Sequence, residues 1–273
     1  MMHAGKAVRS WTTFGVAILI AACGGGGGGS SGGVTAGIDR GGIVTATGSI
    51  TGFGSVHVNG VHYVTTGATI TLDDNPGSES DLRVGQVVRI EGRLDQDGLN
   101  GTATRVIFDD EVEGPVQSID LASSRMVVLG RTVQISTQTS FDDSISPRSL
   151  EGVAVGDRME VSGQVATTGV IEATRIERKT AQSSVEVKGT IGSLDTSARS
   201  FVLDQLTVSY AGAQLNGFAS GQPANGDRVE AFGSVDGNGV LVATRVERES
   251  GGTAGNADEQ ADYEGLVTNF VSA

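Results

Sequence analysis

One cysteine, one tryptophan, three histidines and four prolines are all that 273 residues hold of those types. The lone cysteine, Cys23, excludes an internal disulfide framework. Histidine is confined to His3, His57 and His62, and no Gly-x-Ser-x-Gly elbow stands before a helix, so a nucleophile–base pair has little to form from. The chain is therefore expected not to be an enzyme. Aromatics make up 4% of the chain, which argues against the ring-stacking platforms of common sugar sites. The apolar stretch from Trp11 to Ile20 is shorter than the ~20 residues a spanning helix needs. Positive charge is scarce too: 19 Lys and Arg less Lys6 and Arg9 leaves 17 against 32 acids, a formal charge of −15 beyond the N-terminal segment. Phosphate backbones would be repelled by such a field, so no nucleic-acid partner is expected. Abundant instead are 42 glycines, with valine and threonine around them, a composition of short strands and turns.

Lys6 and Arg9, the short apolar stretch and the small residues behind it predict an export signal over residues 1–22. Leu19-Ile20-Ala21-Ala22-Cys23 resembles the lipobox of bacterial lipoproteins, in which the cysteine is acylated and becomes the new N-terminus. That resemblance implies a membrane anchor through lipid on Cys23 and a place in the cell envelope. With Gly24 rather than Asp after the cysteine, the outer membrane, facing periplasm or surface, is the expected address. Gly24 to Gly29 and Ser30-Ser31-Gly32-Gly33 predict a disordered tether over residues 23–42, because ordering glycine costs the most backbone entropy.

Three blocks then recur. Ala103-Thr104-Arg105-Val106 returns as Ala173-Thr174-Arg175-Ile176 and Ala243-Thr244-Arg245-Val246, 70 residues apart each time. Ahead of each lies a segment bracketed by glycines: 85 and 92, 156 and 163, 226 and 233. Each unit opens on Gly48-Ser-Ile50, Gly114-Pro-Val116 or Gly189-Thr-Ile191. Within the bracketed segments the period is two: Val88 and Ile90, Met159 and Val161, Val229 and Ala231 face inward, while Arg158, Glu160, Arg228 and Glu230 point out. A hairpin follows each opening strand, most plainly at Asn59-Gly60. A polar stretch long enough for one helical turn comes next, then two closing strands.

Three strands, a helical turn and two strands is the element order of the OB barrel. The expected fold is all-β: three tandem, OB-like five-stranded barrels of about 60–70 residues, over residues 43–110, 111–180 and 185–248. Residues 249–262 read as a linker, and 263–273, with Tyr263-Glu264-Gly265-Leu266-Val267, as the incomplete start of a fourth unit. Phe53-Gly54-Ser55-Val56-x-Val58-Asn59-Gly60-Val61, Asp81-Leu82-Arg83-Val84-Gly85 and the recurring blocks resemble a bacterial family known as domain of unknown function 5666. The resemblance implies small β-barrels and an envelope location; it implies no activity and no site residues.

Candidate chemistry is thin. His57 and His62 face across a hairpin, but no third ligand stands near and neither recurs. Asp73-Asp74-Asn75 and Asp142-Asp143 fall at equivalent places, with Asn216-Gly217 in the third unit; the alternate-residue oxygens of a calcium loop are missing, so these read as turn positions. No metal and no cofactor is expected. Arg105, Arg175 and Arg245 are the most regular charges and could form a row that receives an anionic partner, although a repeated Arg beside Glu177 and Glu247 also reads as a surface ion pair. The expected function is a lipid-anchored envelope protein with non-catalytic binding modules, its partner an envelope protein or glycan. The alternatives are a spacer without ligand and a glycan- or cation-binding surface protein.

Overall fold

The structure is a computed structural model that describes residues 42–180 and 184–249. The export signal, Cys23, the tether, nearly all of the linker and the fourth-unit start lie outside the described residues.

The first barrel contains β1 (Ile43–Phe53), β2 (Val56–Val58), β3 (Val61–Val64), β4 (Thr69–Leu72), β5 (Asn75–Gly77), β6 (Val87–Leu94) and β7 (Asn100–Phe108). The second contains β8 (Val112–Asp120), β9 (Arg125–Val128), β10 (Arg131–Gln134), β11 (Ser140–Phe141), β12 (Arg158–Val165) and β13 (Ile171–Arg178). The third contains β14 (Val185–Asp195), β15 (Ser200–Leu203), β16 (Leu206–Ser209), β17 (Gln214–Asn216), β18 (Arg228–Val235) and β19 (Leu241–Arg248).

Each barrel closes in the same way. In the first, β1 pairs antiparallel with β2 and β6, β2 with β3, and β6 with β7. The ring is sealed where β3 runs parallel to β7. Parallel seams between β10 and β13 and between β16 and β19 seal the other two. Closure pairs every strand of the ring and leaves no long edge exposed. The expected single helical turn is present as a 3-10 turn at Glu79–Asp81 and at Leu150–Gly152. In the third barrel only turns and bends occupy that place, a departure that follows its different polar segment, Gly217 to Asn225.

The recurring glycines do more than bracket strands. Gly85, Gly156 and Gly226 hold φ of 93°, 93° and 91°, a region that side chains disfavour. Gly92, Gly163 and Gly233 sit at register shifts in the β6–β7, β12–β13 and β18–β19 pairs. There a Cβ would lie 2.3, 2.6 and 2.2 Å from the carbonyl oxygens of Thr102, Glu172 and Val242. Backbone cannot yield as a flexible side chain does. Gly233→Ala is therefore expected to cost about 1–3 kcal/mol by urea denaturation, whereas alanine at open Gly237 should cost little.

Hairpin tips differ with sequence. Asn59-Gly60 takes positive φ at both residues, as a two-residue turn requires. Leu129-Gly130 does the same, with Leu129 at φ 47° although β-carbon sterics oppose it. Leu129 is fully buried and lies over Gly114, whose missing side chain makes the room. Its burial offsets the strain. Inward residues of the second and third barrels merge into one continuous core, from Val112 to Val246, while the first barrel keeps its own core around Ile50, Val88 and Ile90.

Candidate functional site

The outward faces of the barrels become internal where the three meet. β8 and β14 pair antiparallel, Glu113 opposite Glu186 and Val112 opposite Val187, and so stitch the second barrel to the third. Buried Arg131 crosses the same boundary to Asp204 at 2.6 Å and also donates to the Gly169 carbonyl of its own barrel at 3.2 Å. Arg228 meets Glu111 at 2.9 Å. Between the first and second barrels, the Val87 N–H donates to Ser162 Oγ at 2.7 Å and Arg175 donates to the Val84 carbonyl at 3.1 Å. Arg245 reaches from the third barrel to Asp74 of the first at 3.3 Å.

Glu160 and Glu230, expected to point to water, do leave their own barrels but are 2% and 7% exposed because neighbouring barrels cover them. Lys188 and Asp110 are buried beside them. Charges in such a place must be compensated or protonated.

Register arranges the acids in a row. Glu186 on β14 stands opposite Glu113 on β8, Glu113 opposite Glu160 on β12, and Glu160 opposite Glu177 on β13. Like charges facing one another across a sheet are destabilising. Three of the four have a cation: Arg158 on Glu113 at 2.6 Å, Lys179 on Glu160, and Arg175 on Glu177. Glu186 has no ion pair among the described residues. It faces two further acids instead. One carboxylate oxygen each from Asp73, Asp110 and Glu186 lie within 4.8 Å of one another.

These three come from separate segments. Asp73 sits in the β4–β5 turn at φ 45°, Asp110 in the short link from β7 to β8, and Glu186 near the start of β14. Asp73 accepts the Asp110 backbone N–H at 3.2 Å. Both carboxylate oxygens of fully buried Asp110, and Oε1 of Glu186, have no hydrogen-bond partner among the described residues. Burial, with Glu160 and Asp73 nearby, holds the Asp110 carboxyl well above the ordinary carboxylate range. Burial also lifts Asp73 to about 6, against the pull of the Asp110 N–H. Glu186 is pushed up to about 12 by burial, then by Asp110 and a hydrogen bond with Glu230. Glu160 rises to about 7 through burial, opposed by Lys179. Lys188 pairs with Glu230 at 3.1 Å; burial lowers its pKa, but Glu230, Asp109 and Asp110 outweigh burial and hold it above the ordinary value. A cavity of about 420 Å³ opens onto this junction, lined by Asp73, Asn75, Glu113, Arg158 and Glu186 among others.

The regular arginines occupy three different settings. Arg105 is half exposed and pairs with Glu91 at 3.3 Å. Arg175 is nearly buried between the first two barrels. Arg245 lies over the Phe232 ring, 3.8 Å from its centroid, while bridging to Asp74. No contact brings the three together among the described residues. His57 and His62 face across their hairpin with ring centroids 4.7 Å apart; His62 is hydrogen-bonded to the Gly54 carbonyl at 2.8 Å. Asp143 pairs with Arg148 at the exposed turn of the second barrel.

The carboxylate junction escaped the sequence reading, although one signal was available. After the Ala-Thr-Arg block the first unit continues Phe108-Asp109-Asp110, where the others have Arg178-Lys179-Thr180 and Arg248-Glu249-Ser250. The departure from the repeat marks Asp110.

A family model described as Domain of unknown function (DUF5666) matches residues 41–107, 113–177 and 184–247, one match to each barrel. The chain belongs to that family. As a DUF5666 protein it carries three tandem copies of the domain, the tandem arrangement that the repeated blocks imply. No match is found among curated proteins. Among solved structures, drosophila Unr CSD456 is similar at 14% identity over 77% of this chain and 99% of that one, with a TM-score of 0.22, a superposition too poor to carry any argument.

Proposed function

We propose that this protein is a lipid-anchored component of the cell envelope whose three barrels act together as one non-catalytic binding body. The anchor rests on Leu19 to Cys23, which carries the aliphatic and small residues a lipoprotein peptidase needs beside its cysteine. The observation that carries the second half is the junction. The β8–β14 pairing and the Arg131–Asp204 and Arg228–Glu111 ion pairs hold the second barrel to the third. The Val87–Ser162, Arg175–Val84 and Arg245–Asp74 contacts hold the first to both, so a partner meets a composite surface rather than three independent modules. Fixed modules avoid the ordering entropy that a flexible chain would lose on binding. An envelope protein or a glycan remains the partner class proposed.

Cys23→Ser tests the anchor. The variant is expected to leave the membrane fraction and appear as soluble envelope protein, because one substitution removes every acyl chain. Retention in the membrane fraction would contradict it. Interlocked barrels also suit a spacer that holds something at fixed distance. Crosslinking in cells separates the two: a reproducible partner attached at the barrels supports the binding body, and capture of neighbouring lipoproteins alone supports the spacer.

A further inference from the structure

We infer that Asp73, Asp110 and Glu186 form a binding site for a hard divalent cation of the calcium class, which ties the three barrels together at their junction. Oxygen-only ligands are what such a cation takes, and the three carboxylates supply one oxygen each within 4.8 Å of one another. A cluster of acids alone would not justify the assignment. The deciding observation is Asp110: its side chain is 0% exposed, both its oxygens lack a partner among the described residues, and it is directed at the other two acids. Glu186 adds an independent reason. It is the one member of the four-glutamate row without a cation of its own.

Two other trios of acids share the junction and are already served. Asp110, Glu113 and Glu160 have Arg158 and Lys179; Asp74, Glu230 and Glu247 have Lys188 and Arg245. Among the described residues, only the Asp73–Asp110–Glu186 group combines three carboxylates with no ion pair. The 420 Å³ cavity reaches Asp73 and Glu186, which provides an entry path and room for waters in the remaining coordination positions. Magnesium, which demands near-octahedral geometry and gives up water reluctantly, fits a crowded carboxylate trio less well. Because the ligands come from the first barrel, the link to the second and the third barrel, the cation would bind only the docked arrangement and so stabilise it. This differs from a calcium loop, in which consecutive residues supply the ligands, and from the His57–His62 pair; the expectation of no metal rests on those two patterns.

Titration of calcium chloride into the full chelator-treated chain, followed by calorimetry, is the test. One site per chain is expected, with a rise in Tm of roughly 5–10 °C at saturating calcium and a smaller rise with magnesium. Asp110→Asn should weaken calcium binding about 100-fold or more, yet leave the metal-free Tm at or above that of the parent, since a buried carboxyl is removed. Glu186→Gln serves as the second variant should Asp110→Asn fail to fold, as judged by circular dichroism. Asp143→Asn, on an exposed turn, should leave affinity unchanged. No heat of binding together with the same Tm in calcium and in chelator would overturn the proposal: the acids would then be satisfied by protons. Calcium affinity unaltered in both Asp110→Asn and Glu186→Gln would overturn it equally.

Discussion

Lys188→Met should destabilise the protein by about 3–5 kcal/mol, a fall in Tm of roughly 10 °C, because it leaves buried acids with no cation. The ammonium is 4% exposed and its partner Glu230 9%, so water cannot replace the lost charge. Asp109 and Asp110 lean on the same lysine. Contrast Arg131, whose partner Asp204 keeps a third of its side chain in water. Arg131→Met leaves a carboxylate that solvent can still reach, so a cost of about 1–2 kcal/mol is expected there. Lys188→Met with Glu230→Met should recover part of the loss, since replacing a whole buried pair by apolar groups is often neutral. A Lys188→Met protein as stable as its parent would mean that the junction is wet.

Phe201→Ala is the second large effect, and its reach is the informative part. Phe201 is 1% exposed and stacks on Tyr210, ring centroids 5.6 Å apart, in the core of the third barrel. Its truncation should cost about 3–5 kcal/mol through lost burial and the cavity left behind. That core runs without interruption into the second barrel, by way of Leu206 against Gly130. Barrels two and three are therefore expected to unfold together in the variant, at a lowered temperature. The first barrel has a separate core and should melt closer to its original temperature, visible by calorimetry as a transition that splits in two. A single transition shifted as a whole would show that the junction couples all three more tightly than their cores do.

Barrel architecture was legible in the chain because local signals agree with one another. The period of two in Val88–Ile90 and Met159–Val161, the Asn59-Gly60 turn and the 70-residue recurrence all point to repeated small closed sheets. What alternation cannot say is what covers the far face. Glu160 and Glu230 do point away from their own strands' inner face, but a neighbouring barrel rather than water lies there. Arg175 is displaced from a surface role for the same reason. The glycine blocks revealed their spacing but not their cause, which is a partner carbonyl across a register shift. Asp73, Asp110 and Glu186 were out of reach, since their meeting depends on how three barrels pack rather than on any segment's pattern.

The packing of those barrels into one body is the claim on which the junction depends. Double electron–electron resonance addresses it directly, using spin labels at exposed Leu99 of the first barrel and exposed Val242 of the third, each changed to cysteine, in a Cys23→Ser background. A single narrow distance distribution is expected, unchanged between 50 and 500 mM salt because salt screens exposed charges and leaves the β8–β14 pairing and the Val87–Ser162 hydrogen bond in place. A broad distribution, or one that spreads as salt is raised, would show three barrels strung on a chain and contradict the junction.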